Sequence, residues 1–290
     1  MWHGVTVSAE RPTRDSVDFE ASIPAAVRSL LGGAPERLPG YGSCLVVRDR
    51  GLVVKIGRGA QRETYCLTQR LPMQVPEVIA AGDQWVVMAE VPDNGGDWDE
   101  SGIEALVDDL ARLHDAFAGV DLRGTPVDVP LRAYFARIAQ YGAGLDRLPG
   151  ALREAIENPH PLLAVLDAAP STLVHGDPYR GNVRRPTPGV RVWIDWEDAL
   201  GGPAALDIAA LMLEGPWFLG RSLDRDRVLR RYLAARTTEI GRAFDRELDA
   251  ATLMITISQN IAELEAAQGA TAVDAFTGER LAAMRRLRLP

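Results

Sequence analysis

The apolar positions along the chain follow a strand-like pattern in some segments and a helix-like pattern in others. Runs of β-branched and apolar residues predict short strands, which lie at 44–47, 51–57, 85–92, 171–174 and 189–194. Apolar residues at three- and four-residue steps predict helices, which lie at 24–31, 61–71, 103–117, 207–213, 228–235 and 253–264. We therefore expect a small sheet-bearing region followed by a mostly helical one, with segments 171–174 and 189–194 paired as antiparallel strands.

The polar stretch 93–100 is the best candidate for the boundary between these two regions. Residues 1–92 carry ten acidic and ten basic side chains, whereas residues 93–290 carry thirty and twenty-two, so the whole net charge of −8 lies in the second region. This acidity argues against a nucleic-acid partner. It suits a cationic small substrate, and a solvated acidic surface explains it equally well.

The composition is typical of a cytoplasmic protein. With 47% hydrophobic residues among 290, the chain is long enough to bury a large core. No stretch approaches the roughly 20 apolar residues of a membrane span, and residues 1–14 lack the apolar core of a signal peptide. Cys44 and Cys66 are the only cysteines, too few for a disulfide scaffold. We therefore expect no membrane partner.

The segment 174–182, Val-His-Gly-Asp-Pro-Tyr-Arg-Gly-Asn, carries the strongest chemical signal in the chain. Its Asp177 and Asn182, followed by Asp195 after a predicted strand, have the order and spacing of a phosphoryl-transfer site. In such a site one carboxylate orients the attacking hydroxyl, while the Asn and the second carboxylate hold magnesium against nucleotide phosphates. The alternative is a hairpin with an ordinary solvated turn.

Lys55 is the only lysine among 32 basic residues, the others being arginine. It lies in a β-branched strand, where a compact ammonium suits contact with phosphates better than a broad guanidinium. A lysine left by chance is the alternative. Glu63 lies eight residues later, in the predicted first turn of a helix, where it reaches back to pair with Lys55. A first-turn acid favoured by the helix dipole is the other interpretation of Glu63.

Together these segments resemble the aminoglycoside phosphotransferase and choline kinase-like family, over roughly residues 35–265. The matching pieces are the glycine turn at 40–43, Lys55, Glu63, the strand end 88–90, and the segments 110–114, 175–182, 194–197 and 203–209. The resemblance implies a two-lobed α+β fold of the protein-kinase type. Residues 1–92 would form the nucleotide-binding lobe, and residues 93–290 would form the helical lobe with the catalytic loop and the acceptor site.

The resemblance also implies a role for each matching residue. Asp177 would be the catalytic base, and Asn182 and Asp195 would be Mg²⁺ ligands. The nucleotide, ATP or GTP, would contact Lys55, and Glu63 would orient that lysine. The turn residues Gly40, Gly42 and Ser43 and the backbone at Glu90 and Val91 would also contact the nucleotide. His175 and Asp207 would support the catalytic loop. The reaction implied is transfer of a γ-phosphoryl group to a hydroxyl of a small molecule.

Some positions depart from the family pattern or from the protein kinases. Arg180 stands in the middle of the motif, where we favour a solvent-exposed side chain or a surface ion pair over a catalytic role. Trp196 and Glu197 replace the Phe-Gly of protein kinases, which implies a constitutively competent enzyme without a flipping activation segment. We expect His114 to be a packed or capping histidine.

The acceptor is the open part of the prediction. We expect it in the helical lobe, with Asp198, Glu214, Trp217, Glu263 and Glu265 as candidates for contact. The acidic lobe favours an aminoglycoside-type or other hydroxylated antibiotic, whose modification would confer resistance. A housekeeping kinase for choline, an amino alcohol or a sugar is the alternative, followed by a catalytically silent nucleotide-binding module. Both monomer and dimer remain open.

Overall fold

The structure is a computed structural model. It describes residues 23–32, 35–38, 44–95, 98–133, 157–219, 223–238, 241 and 243–267, without the side chains at 214–219 and 256–267. Among the described residues, no helix combines the length and the apolar character needed to cross a membrane.

A five-stranded antiparallel sheet forms the first part of the molecule, in the order β1-β2-β3-β5-β4. Its strands are β1 Glu36–Leu38, β2 Leu45–Asp49, β3 Leu52–Ile56, β4 Val78–Gly82 and β5 Trp85–Ala89. A two-residue turn joins β2 to β3, with φ of 48° at Arg50 and 77° at Gly51. Positive φ at both positions is the requirement of a type I′ hairpin, and it places Lys55 opposite Val46.

The two faces of this sheet pack against different partners. One face packs Val47, Val54 and Val87 against Val27 of the short helix α1 (Ala25–Arg28). The other face joins the main core, through Val86 among others. The alternation follows from the two-residue period of side chains along a strand.

Helix α2 (Gly59–Leu67) follows β3, and its bounds differ from the prediction at both ends. It begins two residues before Gln61, so Glu63 does not lie in the first turn, which contains no acidic residue. The helix also ends before the predicted Leu71. The Thr68 hydroxyl donates to the carbonyl oxygens of Thr64 at 2.8 Å and Tyr65 at 3.0 Å, which competes with continuation of the helix.

The second part of the molecule is mostly helical, as predicted. Its helices are α3 Glu100–Ala116, α4 His160–Asp167, α5 Ala205–Leu219, α6 Arg225–Ala235 and α7 Phe244–Ala267. The buried side chains that they and the adjacent strands contribute form one core, which includes Leu110, Leu173, Trp196, Leu206 and Leu253. Helix α3 begins at a capping residue, Asp99, whose carboxylate accepts a hydrogen bond of 2.8 Å from the Gly102 N–H.

Two small antiparallel pairs replace the single predicted pair of strands 171–174 and 189–194, which is wrong. Strand β6 (Ser171–Val174) pairs with β9 (Leu200–Pro203), and β7 (Val183–Arg184) pairs with β8 (Val192–Trp193). The β7–β8 hairpin closes a much shorter loop, which costs less entropy than joining β6 to β8. The sequence Leu-Gly-Gly-Pro of β9 lacks the β-branched residues that would mark a strand.

The segment after β5 is fixed to the β7–β8 hairpin by hydrogen bonds. The Asn94 N–H donates to the Arg185 carbonyl oxygen at 3.1 Å, and the Arg185 N–H donates to the Asp93 carboxylate at 3.1 Å. The connection between the two predicted lobes is therefore held in place by one backbone bond and one bond to the Asp93 side chain. The boundary after residue 92 stays a prediction.

Candidate active site

Asp207, at the start of α5, holds the loop that follows β6. Its carboxylate accepts hydrogen bonds from the backbone N–H groups of His175 at 2.8 Å and Gly176 at 2.9 Å. His114 Nε2 lies 3.0 Å from the same carboxylate, and both side chains are fully buried. A buried carboxylate with this set of donors is satisfied, and it fixes the loop backbone two residues before Asp177.

Gly176 has a conformation and surroundings that exclude other residues. Its φ is +85°, and an added Cβ would lie 2.1 Å from the carbonyl oxygen of Asp198. The loop and the segment after Asp195 are therefore in backbone contact at this point. This contact explains physically why the motif has glycine after its histidine.

We expect Gly176→Ala to destabilise the protein by about 3 kcal/mol, because positive φ and a backbone clash act together. Gly119→Ala is the matched control, since Gly119 has φ +74° with no atom within 4 Å of an added Cβ. It should cost only about 1 kcal/mol. Urea unfolding of both variants measures the difference, and equal losses would contradict the clash.

His175 is held as a neutral imidazole beneath the loop. Its Nε2 lies 3.1 Å from the Ile194 carbonyl oxygen, and its Nδ1 accepts from the Asp177 N–H at 3.3 Å. The proton is therefore on Nε2. Burial lowers the pKa of His175, and its ring lies 4.5 Å from that of Trp196. This arrangement gives the ring hydrogen bonds to the backbone on both sides.

Asp177 is positioned by Asn182, at the end of the short 3-10 turn Arg180–Asn182. The Asn182 Nδ2 group donates to the Asp177 carboxylate at 2.9 Å and to its backbone carbonyl oxygen at 3.0 Å. Burial raises the pKa of Asp177 to about 7, and the negative charges of Asp198 and Asp195 add to the rise against the Asn182 hydrogen bond. This carboxyl therefore changes between its protonated and ionised forms near neutral pH.

The raised pKa of Asp177 predicts a pH-dependent stability difference between the wild type and Asp177→Asn. The carboxyl of the folded protein holds its proton up to about pH 7, whereas that of the unfolded chain loses it near its ordinary pKa. The protonated carboxyl therefore adds to the free energy of unfolding at low pH, and this contribution is lost as pH rises through 7. Between pH 6 and 8 the wild type should lose about 1 kcal/mol relative to the variant in metal-free buffer. His175 has a lowered pKa, so its contribution to stability changes with pH in the opposite direction. Both proteins contain His175, so its contribution cancels when their stabilities are subtracted. Urea unfolding at both pH values measures it, and a constant difference would contradict the shift.

A buried ion group lies across from this loop. Lys55 Nζ lies 2.6 Å from Glu63 Oε2 and 2.5 Å from Asp195 Oδ1. Burial alone would lower the pKa of the Lys55 ammonium. The attraction of the two carboxylates is larger than this effect, so the pKa of Lys55 is raised. Burial also raises the pKa of Glu63, against the effect of Lys55. Two carboxylates share one ammonium here, and the predicted pairing of Glu63 with Lys55 is present.

The Ile194 N–H donates to the Asn182 carbonyl oxygen at 2.9 Å, which brings the next residue, Asp195, close to Asn182 along the chain. Asp195 has φ 65°, an uncommon value for a residue other than glycine. Its side chain is 39% exposed, whereas Glu63 is fully buried, so Asp195 is the carboxylate that a ligand reaches. With Nδ2 of Asn182 bonded to Asp177, its Oδ1 is the atom of this side chain that could serve as an oxygen ligand. Two oxygen ligands fit Mg²⁺, which keeps waters and phosphates as its other ligands.

Comparison with known proteins agrees with this geometry. The model of the phosphotransferase enzyme family matches residues 46–248, well over half of the chain. The chain belongs to the phosphotransferase enzyme family. The predicted resemblance and the predicted small-molecule phosphotransferase activity are thereby confirmed. No curated protein matches the chain.

Solved structures show the same fold at low sequence identity. A choline/ethanolamine kinase family protein from Mesorhizobium loti is 19% identical, with TM-score 0.58, over 91% of this chain and 92% of that one. A thermostable mutant of aminoglycoside phosphotransferase APH(4)-Ia, in a ternary complex with ADP and hygromycin B, is 18% identical, with TM-score 0.59, over 91% of this chain and 98% of that one. Macrolide 2'-phosphotransferase MphH from Brachybacterium faecium is 20% identical, with TM-score 0.54, over 89% and 97%. The predicted two-lobed α+β fold is confirmed.

The remaining predicted site residues of this phosphotransferase fall into three groups. Asp198 lies beside the loop that carries Asp177, where its backbone meets Gly176 and its charge acts on Asp177. The Glu90 N–H donates to the Gly51 carbonyl oxygen at 2.8 Å, at the end of the sheet. The turn residues Gly40, Gly42 and Ser43 lie outside the described residues, as do the side chains of Glu214 and Trp217 in α5 and of Glu263 and Glu265 in α7.

Sequence reasoning missed two buried residues that contact the elements around the candidate site. Asp109 of α3 is buried and accepts hydrogen bonds from Arg191 at 2.8 Å and from Trp193 Nε1 at 3.0 Å, which holds β8 against the helix. Tyr232 of α6 lies with its hydroxyl oxygen 2.7 Å from His114 Nδ1. The only sequence signal for Asp109 is an acid among the apolar positions of α3, and Tyr232 carries no signal of its own.

Proposed function

We propose that this phosphotransferase moves the γ-phosphoryl group of ATP or GTP to a hydroxyl of a small, amine-bearing acceptor, an aminoglycoside-type antibiotic or a related hydroxylated antibiotic. The observation that carries the proposal is the position of Asp177, on a loop fixed by Asp207 and next to Asn182 and Asp195. Such a carboxylate accepts a hydrogen bond from a hydroxyl and orients it for in-line attack.

Asp177 would be the hydroxyl-orienting carboxylate and the group that takes the hydroxyl proton. Its raised pKa makes the ionised form a stronger proton acceptor than an ordinary aspartate. Asn182 supports this role because its amide donates to the carboxylate and limits the positions that the side chain can take. The proton then rests on the Asp177 carboxyl until the product leaves.

Lys55 would neutralise the α and β phosphates of the nucleotide. Its ammonium is held by Glu63 at 2.6 Å, and the exposed partner Asp195 is the one that a nucleotide would replace. Glu63 would stay with the lysine and keep it directed into the cleft. The Glu90 N–H already donates to the Gly51 carbonyl oxygen and is not available to a ligand. The backbone groups that would meet the purine are therefore the carbonyl of Glu90 and the N–H of Val91.

Asn182 Oδ1 and Asp195 are the residues that would hold Mg²⁺, whose charge would stabilise the phosphates during transfer. The donor set supports this assignment, since an amide oxygen and a carboxylate are the hard ligands that Mg²⁺ takes. Among the described residues there is no cluster of three or more His, Cys, Asp or Glu suited to a metal. We propose a two-ligand site completed by phosphates and water, as is usual for Mg²⁺ bound with a nucleotide.

The negative charge around Asp177 supports a cationic acceptor. Asp195 and Asp198 both raise the proton affinity of Asp177, so the site carries a local negative field. A positively charged amine of an acceptor is attracted to such a field. The same observation favours an amino alcohol such as choline as the second candidate, and a neutral sugar receives no such support.

The test is release of nucleoside diphosphate with purified protein and a panel of acceptors. The panel contains aminoglycosides, macrolides, choline, ethanolamine and neutral sugars, each with ATP and with GTP. We expect stimulation by an amine-bearing antibiotic, and stimulation by choline alone would support the second candidate. Nucleotide binding without stimulation or basal hydrolysis would identify a silent binding module and reject the proposal.

A further inference from the structure

A buried chain of polar groups runs from the catalytic loop to the end of helix α6. Asp207, which holds the loop, lies 3.0 Å from His114 Nε2, and His114 Nδ1 lies 2.7 Å from the Tyr232 hydroxyl oxygen. The Arg236 guanidinium donates to that hydroxyl oxygen at 2.5 Å and to Asp115 at 2.5 Å. Asp207, His114 and Tyr232 are completely buried.

The hydrogen-bond directions follow from the Asp207 end of this chain. The Asp207 carboxylate accepts from two backbone N–H groups, and His114 presents its Nε2–H group to the same carboxylate. In the tautomer with its proton on Nε2, Nδ1 is an acceptor, and the Tyr232 hydroxyl, whose oxygen accepts from Arg236, donates to it. Tyr232 thus stabilises the histidine tautomer that donates to the carboxylate holding the loop.

Helix α6, which carries Tyr232, is fixed to α3, which carries His114, by a row of ion pairs. Arg227 contacts Glu104 at 2.6 Å, and Arg231 contacts Asp108 with its Nε at 2.7 Å. These pairs are exposed and each contributes little. The pair Arg236–Asp115 lies deeper, with side-chain exposures of 8% and 12%, and Asp115 also accepts from the Thr237 N–H.

We propose that Tyr232 is a positioning residue for phosphoryl transfer. Held by Arg236, it fixes the tautomer and orientation of His114, and through His114 and Asp207 it fixes the backbone of His175 and Gly176. The Thr172 hydroxyl adds a second tie, because it donates to the His114 carbonyl oxygen at 2.9 Å from the strand that leads into the loop. The link from the loop to the reaction rests on the proposed role of Asp177.

The first experiment tests the hold on the loop without any acceptor. The chain has four histidines, so ¹⁵N-edited NMR of the side chains resolves His114, and we expect its ring proton on Nε2. In Tyr232→Phe the amide protons of His175 and Gly176 should exchange about tenfold faster than in the wild type, relative to core amides of α3. Unchanged exchange at these two amides, or a ring protonated on Nδ1, would overturn the proposal.

The second experiment separates positioning from plain stabilisation. We expect Tyr232→Phe and Arg236→Met to lower kcat for nucleoside diphosphate release about tenfold, with KM for the nucleotide changed less than about twofold. Arg231→Met is the matched control, an arginine on the same helix that pairs with α3 outside the buried chain, and it should leave kcat unchanged. Equal kcat losses in the two arginine variants, or an unchanged kcat in Tyr232→Phe, would overturn the proposal.

The two experiments also separate this proposal from the proposed function. If the wild type turns over no nucleotide with any acceptor, the function is wrong, while the exchange rates still decide whether Tyr232 holds the loop. If the wild type is active and the exchange rates do not change in Tyr232→Phe, the positioning role is wrong and the function stands.

Discussion

Replacing Asp177 by alanine is expected to abolish phosphoryl transfer, with a loss of at least about 10³-fold in kcat. Asp177 is the carboxylate that Asn182 holds at 2.9 Å on the fixed loop, and the variant removes the group that orients the acceptor hydroxyl and takes its proton. Nucleotide affinity should change only a few-fold, because Lys55, Glu63 and Asp195 keep their contacts. Nucleoside diphosphate release and calorimetric titration with the nucleotide measure the two quantities.

Two further variants sharpen the test of Asp177. Asp177→Asn keeps the shape and one oxygen of the side chain but cannot take a proton, so it should be almost as inactive as alanine. Asp121→Ala removes an exposed aspartate that pairs only with Arg123 among its described contacts, and it should leave the rate unchanged. Full turnover in Asp177→Ala would refute the proposed mechanism.

The elements that a local pattern dictates could be predicted from the sequence. Helix α3 follows from apolar residues at helical spacing, and β3 follows from a β-branched run ahead of a turn. Asp177 and Asn182 could be predicted as a pair because only five residues separate them. A single short loop spans this separation, and in the structure it places the Asn182 amide 2.9 Å from the Asp177 carboxylate.

The parts that depend on distant residues could not be predicted. Strand β9 has two glycines and a proline, and it becomes a strand only because β6 supplies its hydrogen-bond partners. Tyr232 meets His114 across 118 residues, a contact that no spacing rule gives. Asp207 was expected to support the loop, but its bonds to His175 and Gly176 become visible only in the folded chain.

Replacing Asp195 by alanine is expected to remove the magnesium dependence of nucleotide binding. Asp195 is the exposed carboxylate of the ion group and lies beside Asn182, so it is the residue best placed to hold the metal. The variant leaves Lys55 paired with the buried Glu63, which preserves the fold of this region. In the presence of Mg²⁺ we expect affinity for ATP or GTP to fall at least about tenfold, or about 1.4 kcal/mol.

Calorimetric titrations with and without Mg²⁺ measure this effect, and Glu63→Gln is the matched control. The control weakens the support of Lys55 but keeps both proposed metal ligands, so it should lower affinity by the same factor with and without the metal. Asp195→Ala should instead bind the nucleotide equally under the two conditions. If Mg²⁺ raises the nucleotide affinity of Asp195→Ala as much as that of the wild type, the metal is held elsewhere. Asn182 alone offers one neutral oxygen, which is too weak a site for a strongly hydrated divalent cation.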